Sequence, residues 1–432
     1  MTPETQSLLN PTMAAADIRA AVHKTVSACP VLDMHTHLFA PQFSTLNLWG
    51  IDELLTYHYL VAEVLRVHPI REEAFWALTK SEQADLVWEQ LFVRNSPISE
   101  ATAGVVSVLD SLGLDTSATD LSEARDFFNS RDFDAHLDEI MRLAGVNQVV
   151  MTNDPFDPDE VAYWNKLESF DPRFRAVVRL DVLLNDYPHA IARAAAQGFQ
   201  LGTDVDASTI TQARKFLDAW IERMDPAYVA VSLPDTFKYP EATVRNTLID
   251  EVVLPTCLQH DLPMALMIGV RRQVNPRLKL AGDGVGCADL KSLQSLLQKH
   301  PDNRFLVTVL ARENQHELCV LARKFRNLMP FGCWWFVNNS SLIREITDMR
   351  FEMLGTSFIP QHSDSRVVEQ LAYKWQHSRR IIADSLADRY EQLATSGRIV
   401  SQSEIARDVQ LLLEGNFRQW VGDEEIGGDN QD

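Results

Sequence analysis

The sequence predicts an α/β protein, a distorted (β/α)8 barrel of the TIM type with a helical insertion after the first strand. Short apolar runs typical of buried strands alternate with helical patterns along most of the chain. Eight such runs occur, which is the strand number of this barrel. An open doubly wound sheet is the alternative, but it usually carries a Gly-rich first turn, and no Gly-x-Gly-x-x-Gly occurs here.

The predicted strands are short apolar runs bounded by polar or turn residues. They are Val31–Met34, Val146–Met151, Arg175–Leu180, Tyr228–Leu233, Met264–Ile268, Phe305–Leu310, Leu328–Phe331 and Ser357–Ile359. Helical patterns fill most gaps after the second strand, as expected for parallel strands joined by crossover helices. The stretch 49–143 is too long for one such connection and is rich in helical patterns. We therefore predict a helical insertion there, within a single barrel domain that spans 1–432.

The composition restricts the class of partner and the compartment. The chain has 60 Asp and Glu against 40 Lys and Arg, a formal charge of -20. Such a charge repels phosphate backbones, so we expect no nucleic-acid partner. We expect no membrane association, because no stretch reaches the roughly 18 apolar residues of a membrane span. The five scattered cysteines favour a reducing cytoplasm. We also expect a homo-oligomer.

A candidate metal site follows the first predicted strand, in Asp33-Met34-His35-Thr36-His37. Alternate residues of an extended chain point to the same side, so His35 and His37 can grip one divalent metal ion. The alternative is a pair of polar residues in a loop. When a barrel closes, its eighth strand lies beside its first, which brings Asp364 next to both imidazoles. The result is a His2Asp ligand set with positions open to water or substrate.

Other polar and aromatic residues stand near the predicted strand ends. Arg179 follows the third strand, and Arg366 follows the eighth; two arginines near a metal can clamp an anionic substrate, although ion pairs within the barrel would also explain them. Trp334 follows the seventh strand and reads equally as core or as an apolar wall. His58 falls on the apolar stripe of the first insertion helix, so packing alone would explain both His58 and Tyr59.

In this order and at these separations, the motifs resemble the uronate isomerase family of the amidohydrolase superfamily, in its shorter and divergent branch. The resemblance covers nearly the whole chain. Its motifs are Asp33-Met34-His35-Thr36-His37, the tract Ile51–Tyr59, Cys333-Trp334-Trp335-Phe336, Ser363-Asp364-Ser365-Arg366, and Arg379-Arg380. Two positions depart from the more familiar branch: Tyr57 replaces an Asp before the His-Tyr pair, and Met267 replaces a His near the end of the fifth strand.

The resemblance implies a reaction and a role for each candidate residue. The reaction is aldose–ketose isomerisation of D-glucuronate to D-fructuronate, and of D-galacturonate to D-tagaturonate, by proton transfer through a cis-enediol. The implied roles are metal ligands, with zinc as the metal, for His35, His37 and Asp364; substrate contacts for His58, Arg179, Trp334 and Arg366; and proton transfer for Tyr59 and Asp364. A metal-dependent hydrolase of a sugar-acid lactone or related carboxylate would use the same ligands and is the main alternative. A sugar-acid binding protein without catalysis is a third.

Overall fold

Parallel strands form the centre of the computed structural model, which describes residues 15–423. The strands are β1 (Val31–Asp33), β2 (Val146–Val150), β3 (Phe174–Arg175), β4 (Val178–Arg179), β5 (Val229–Pro234), β6 (Met264–Arg271), β7 (Gly284–Val285), β8 (Phe305–Val309) and β9 (Leu328–Pro330). They pair in the orders β1-β2-β3 and β4-β5-β6-β8-β9. All neighbours in these orders are parallel, whereas β7 is antiparallel to β6.

Single bridges and backbone hydrogen bonds connect these strands around the barrel. A parallel bridge between Asn153 and Val178 joins the two sheets, and another between Phe331 and Ile359 adds the eighth position. The chain after that position hydrogen bonds to the chain after β1, because the His37 N–H donates to the Ser365 carbonyl over 2.7 Å. The predicted α/β barrel class is confirmed.

Two predicted strands differ from the structure in a physically informative way. The third, Arg175–Leu180, is broken because the chain changes partner along it: β3 pairs with β2 and β4 pairs with β5. The eighth, Ser357–Ile359, is reduced to the bridge at Ile359. Pro360 follows directly, and a proline has no N–H with which to continue a ladder.

Helices fill the segment between β1 and β2 and surround the barrel. Between β1 and β2 they are Ile51–Leu55, His58–Val67, Glu72–Ala77, Lys80–Trp88, Glu100–Ser111, Ser122–Asn129 and Phe133–Ala144. The others are Ala15–Ala28, Pro158–Trp164, Asp181–Asn185, Tyr187–Ala195, Ala207–Met224, Val244–Leu248, Leu254–Gln259, Leu290–Lys299, Gln315–Ala322, Ser340–Leu354, Gln370–Thr395, Gln402–Gln410 and Asn416–Val421. The predicted bounds of the insertion, 49–143, and of the domain, 1–432, stay predictions. Residues 1–14 and 424–432 lie outside the described range.

Local sequence explains how the last insertion helix leads into β2. Asp132 caps the helix Phe133–Ala144 by accepting a hydrogen bond from the Ala135 N–H. Gly145 ends it in the left-handed region, at φ 65°, which glycine adopts without steric cost. The strand β2 begins at the next residue, so this helix end fixes where the strand starts.

The helix Gln370–Thr395 connects the barrel with the insertion. It packs against the helices Ala15–Ala28, Ser340–Leu354, Phe133–Ala144 and Glu100–Ser111. Tyr373 on this helix belongs to the buried cluster of the insertion, whereas Trp375 belongs to the main barrel core. The helix therefore carries side chains that reach both parts. Among the described residues, no helix is long and apolar enough to span a bilayer.

Candidate active site

Three potential metal ligands converge where β1 and the eighth position of the barrel end. The Nε2 atom of His37 lies 3.3 Å from Oδ1 of Asp364, and that of His35 lies 3.9 Å from the same oxygen. One ligand atom from each of the three residues lies within 4.8 Å of the others. His35 and Asp364 are buried, and His37 is partly exposed. The predicted convergence of these residues is thus present in the fold.

A buried tyrosine fixes the orientation of the His35 ring. The Tyr228 hydroxyl donates to the Met34 carbonyl over 2.7 Å and lies 3.0 Å from Nδ1 of His35. Because the hydroxyl proton is used by the carbonyl, the oxygen accepts from His35, which places the imidazole proton on Nδ1. The lone pair of Nε2 therefore faces Asp364 and is available for a metal.

A threonine orients His37 in the same way. The Thr152 hydroxyl donates to the Thr36 carbonyl over 3.0 Å and lies 2.9 Å from Nδ1 of His37. The hydroxyl oxygen again accepts the Nδ1 proton, and the lone pair of Nε2 is left for a ligand. Outer-shell hydrogen bonds of this kind are typical of histidine metal ligands, since they set both tautomer and ring orientation.

The charge states of the three residues suit a divalent cation. Burial lowers the pKa of His35 to about 3 and that of His37 to about 4, so both rings are neutral near pH 7. Burial alone would raise the pKa of Asp364, but the His37 and His35 rings, which are positively charged at low pH, and the Lys374 ammonium hold it well below its usual range. Nε2 of His35 and Oδ1 of Asp364 are buried and have no hydrogen-bond partner among the described residues. Two neutral imidazoles and one carboxylate therefore fit a metal ion.

The backbone at Asp364 is held in a sparsely populated conformation. Its φ is 51°, in the left-handed region that residues other than Gly, Asn and Asp rarely adopt. The Asp364 N–H donates to the His35 carbonyl over 3.1 Å. The preceding N–H, of Ser363, donates to the Asp33 carboxylate over 3.1 Å. The main-chain N–H groups of Ser363 and Asp364 therefore tie this turn to the β1 segment.

His58 and Tyr59 begin the helix His58–Val67, and their rings lie against each other. Their ring centroids lie 4.5 Å apart, and the charge of Asp364 acts on both residues. Burial lowers the pKa of His58 to about 3, and burial together with Tyr57 and Asp364 raises the pKa of Tyr59 well above its usual value. Nε2 of His58 and the Tyr59 hydroxyl are buried and have no hydrogen-bond partner within residues 15–423. Both groups are neutral at pH 7, and their polar atoms are free for a ligand.

The two candidate arginines differ in what already binds them. Arg179 donates to both oxygens of Asp181, over 2.9 and 3.2 Å. Arg366 is close enough for its charge to act on His37 and His58, yet its guanidinium forms no salt bridge with any described residue. Arg366 is therefore the arginine with its full donor set available for an anion.

The tryptophan pair after β9 divides between core and site. Trp334 is only 3 % exposed and packs in the inner barrel cluster that contains Tyr228. Trp335 has a φ of 49°, its ring lies 5.7 Å from that of His58, and its buried Nε1 has no hydrogen-bond partner in the described part of the chain. The contact with His58 is thus made by Trp335. The substrate contact predicted for Trp334 stays a prediction.

Three residues that support the candidate ligands, Thr152, Tyr228 and Lys374, were not among the predicted site residues. Thr152 directly follows the predicted second strand, so the rule that barrel chemistry collects at strand ends would have found it. Tyr228 begins the predicted fourth strand, where that rule assigns no function. Lys374 lies inside a helix, and its contact with the Ser363 carbonyl, at 2.7 Å, has no local signal in the sequence.

The similarity to solved structures covers nearly the whole chain. A uronate isomerase from Bacillus halodurans C-125 has 50% sequence identity and a TM-score of 0.94, covering 96% of this chain and 98% of that one. Two structures at lower identity share the fold. A glucuronate isomerase from Caulobacter crescentus has 16% identity and a TM-score of 0.75, covering 97% of each chain. A uronate isomerase from Thermotoga maritima has 15% identity and a TM-score of 0.76, covering 96% of this chain and 98% of that one. No protein-family model and no curated protein matches the chain.

Proposed function

This chain belongs to the uronate isomerase family, and we propose that it converts D-glucuronate to D-fructuronate and D-galacturonate to D-tagaturonate. The observation that carries the mechanism is the convergence of an ionised carboxylate, a neutral phenol and an unpaired guanidinium. These are Asp364, Tyr59 and Arg366. An aldose–ketose isomerase needs a base, a proton donor for the carbonyl oxygen, and, for a uronate, an anchor for the carboxylate.

The charge states support one division of the two proposed proton-transfer roles. Asp364 is ionised, because its pKa lies well below the usual range. Tyr59 is protonated, because its pKa is raised well above the usual value. Asp364 is therefore the proton acceptor, and Tyr59 is the hydroxyl that donates to the substrate carbonyl oxygen.

The reaction follows from these roles in two balanced steps. Asp364 takes the C2 proton of the open-chain aldose while Tyr59 gives its proton to O1, which forms the cis-enediol. Asp364 then returns a proton to C1 while the Tyr59 phenolate takes the proton from the C2 hydroxyl, which forms the ketose. Both residues end in their starting states. Such positioned proton transfers typically contribute 10²–10⁴-fold each.

Arg366 is the proposed anchor for the substrate carboxylate. Its guanidinium has no acidic partner among residues 15–423, so a bidentate contact with a carboxylate costs no existing ion pair. Arg179, already engaged by Asp181, has fewer donors left and suits a neutral substrate hydroxyl. Trp335 adds, beside His58, a buried N–H that no described residue accepts from.

We propose zinc as the bound metal, held by His35, His37 and Asp364, because imidazole nitrogen and carboxylate oxygen form a typical zinc donor set. When bound, it would supply positive charge that orients substrate oxygens and stabilises enediolate charge. The cytoplasmic location and the homo-oligomeric state stay predictions from the sequence.

The direct test is to incubate the purified, zinc-loaded protein with each hexuronate and to follow ketose formation. We expect turnover of at least one of them. Tyr59→Phe and Asp364→Asn should each lower kcat by at least about 100-fold, with circular dichroism like that of the unaltered protein. Near-normal turnover by either variant would contradict the role assigned to that residue. Hydrolysis of a sugar-acid lactone without any isomerisation would select the hydrolase instead.

A further inference from the structure

A buried lysine lies behind the proposed active site and contacts two of its segments. Lys374, 3 % exposed, points from the helix Gln370–Thr395 toward the chain around Asp364. Its ammonium donates to the Ser363 carbonyl over 2.7 Å and to the Asp364 carbonyl over 3.5 Å. It also lies 6.0 Å from the ring centroid of Tyr57, two residues before Tyr59. One side chain thus reaches the segments of both proposed proton-transfer residues.

Ser363, the residue before Asp364, is held from two sides. Its N–H donates to the Asp33 carboxylate of β1, and its carbonyl accepts from the Lys374 ammonium. Asp33 in turn accepts a hydrogen bond from Nε1 of Trp375 over 2.8 Å. Two adjacent residues of one helix therefore support the backbone of Ser363: Lys374 directly, and Trp375 through Asp33. This arrangement explains how Asp364 keeps its left-handed backbone conformation.

The charge of Lys374 is compensated at a distance. It forms no salt bridge with any described residue, yet the carboxylates of Asp364, Glu100 and Asp33 all act on it. A buried ammonium is costly unless such charges and hydrogen bonds offset its desolvation. Packing alone does not explain a lysine without a direct acidic partner at this position, because methionine would fill a similar volume without burying a charge.

We propose that Lys374 is a positioning residue that keeps the Asp364 turn and the Tyr57–Tyr59 segment aligned across the active site. The proposal rests on the proposed function in that these segments carry the reacting groups. Its consequence for metal binding does not depend on any substrate. Without the ammonium, the Ser363 carbonyl loses its shortest hydrogen bond and the Asp364 carboxylate loses a nearby positive charge.

The test compares Lys374→Met, which removes the charge at similar volume, with Lys374→Gln, which keeps an N–H donor. Gln376→Met is the matched control, because Gln376 is exposed on the same helix. Zinc affinity is measured by competition with a chelator. The constants kcat and KM are measured with D-glucuronate as the substrate. We expect Lys374→Met to weaken zinc binding 10–100-fold and to lower kcat at least tenfold. KM should change less than about threefold, because Arg366 is untouched. Gln376→Met should match the unaltered protein.

The other possible results also test whether Lys374 positions the active site. If Lys374→Met fails to fold, Lys374→Gln carries the same comparison with a smaller expected effect. Failure of both to fold would assign Lys374 to the fold rather than to the site and would overturn the proposal. Unaltered zinc affinity and kcat in a folded variant would overturn it as well. If the unaltered protein binds zinc but turns over no uronate, the proposed function fails, and the zinc affinities still decide the role of Lys374.

Discussion

Replacing Tyr228 by phenylalanine should weaken metal binding while the barrel interior keeps its packing. The hydroxyl accepts from Nδ1 of His35 over 3.0 Å and donates to the Met34 carbonyl over 2.7 Å. Without it, nothing among these contacts holds the imidazole proton on Nδ1. Loss of such an outer-shell partner typically costs 10–100-fold in metal affinity, which is about 1.4–2.7 kcal/mol. The Met34 carbonyl also becomes an unpaired buried acceptor, so the metal-free protein should lose about 1–3 kcal/mol of unfolding free energy.

The assay is zinc affinity by chelator competition, together with urea unfolding of the metal-free protein. Tyr187→Phe is the matched control, because its hydroxyl also donates to a backbone carbonyl, that of Gly202 over 2.8 Å, but away from the proposed site. The control should lose a little stability and no metal affinity. A folded Tyr228→Phe protein that binds zinc as tightly as the unaltered protein would refute the assignment of His35 as an oriented ligand.

Two further predictions separate the arginines and define the pH range of metal binding. Arg366→Met should raise KM for D-glucuronate at least about tenfold with little change in the free energy of unfolding. Arg179→Met should lower the free energy of unfolding by about 1–3 kcal/mol, because it leaves Asp181 unpaired. Equal effects of the two substitutions on KM and on stability would contradict this difference between the arginines. Zinc affinity should stay nearly constant from about pH 8 to about pH 5 and fall below about pH 4, because His35 and His37, with a pKa of about 3 and about 4, stay neutral above that range. Competition titrations at a series of pH values check this pH range of zinc binding. A tenfold loss of zinc affinity per pH unit that begins near pH 6.5, the ordinary histidine pKa, would contradict the prediction.

The ligand set was predictable because it depends only on the order of strands. His35 and His37 follow the first strand, Asp364 follows the eighth, and closure of a barrel places those ends together. The convergence required no knowledge of side-chain conformation. The barrel class, confirmed by the structure, follows from the same regular alternation.

The supporting residues were not predictable in this way. Tyr228 is distant in sequence from the Met34 carbonyl that its hydroxyl contacts, and Lys374 contacts the Ser363 carbonyl from inside a helix; neither residue carries a motif. The difference between Trp334 and Trp335 depends on the left-handed backbone at Trp335, φ 49°, which turns that ring toward His58. A short run of aromatic residues does not reveal such a turn.

The measurement that tests the central claim most directly is the reaction of the zinc-loaded protein with D-glucuronate in D2O, followed by NMR. We predict that D-fructuronate forms and that solvent deuterium enters the carbon positions between which the proton moves, because the proton that Asp364 takes from C2 in the proposed reaction exchanges with solvent before a proton is returned to C1. Failure to form the ketose would contradict the assigned reaction. Ketose that retains the original hydrogen completely would contradict proton transfer by Asp364 and Tyr59 and would favour direct hydride transfer between the two carbons.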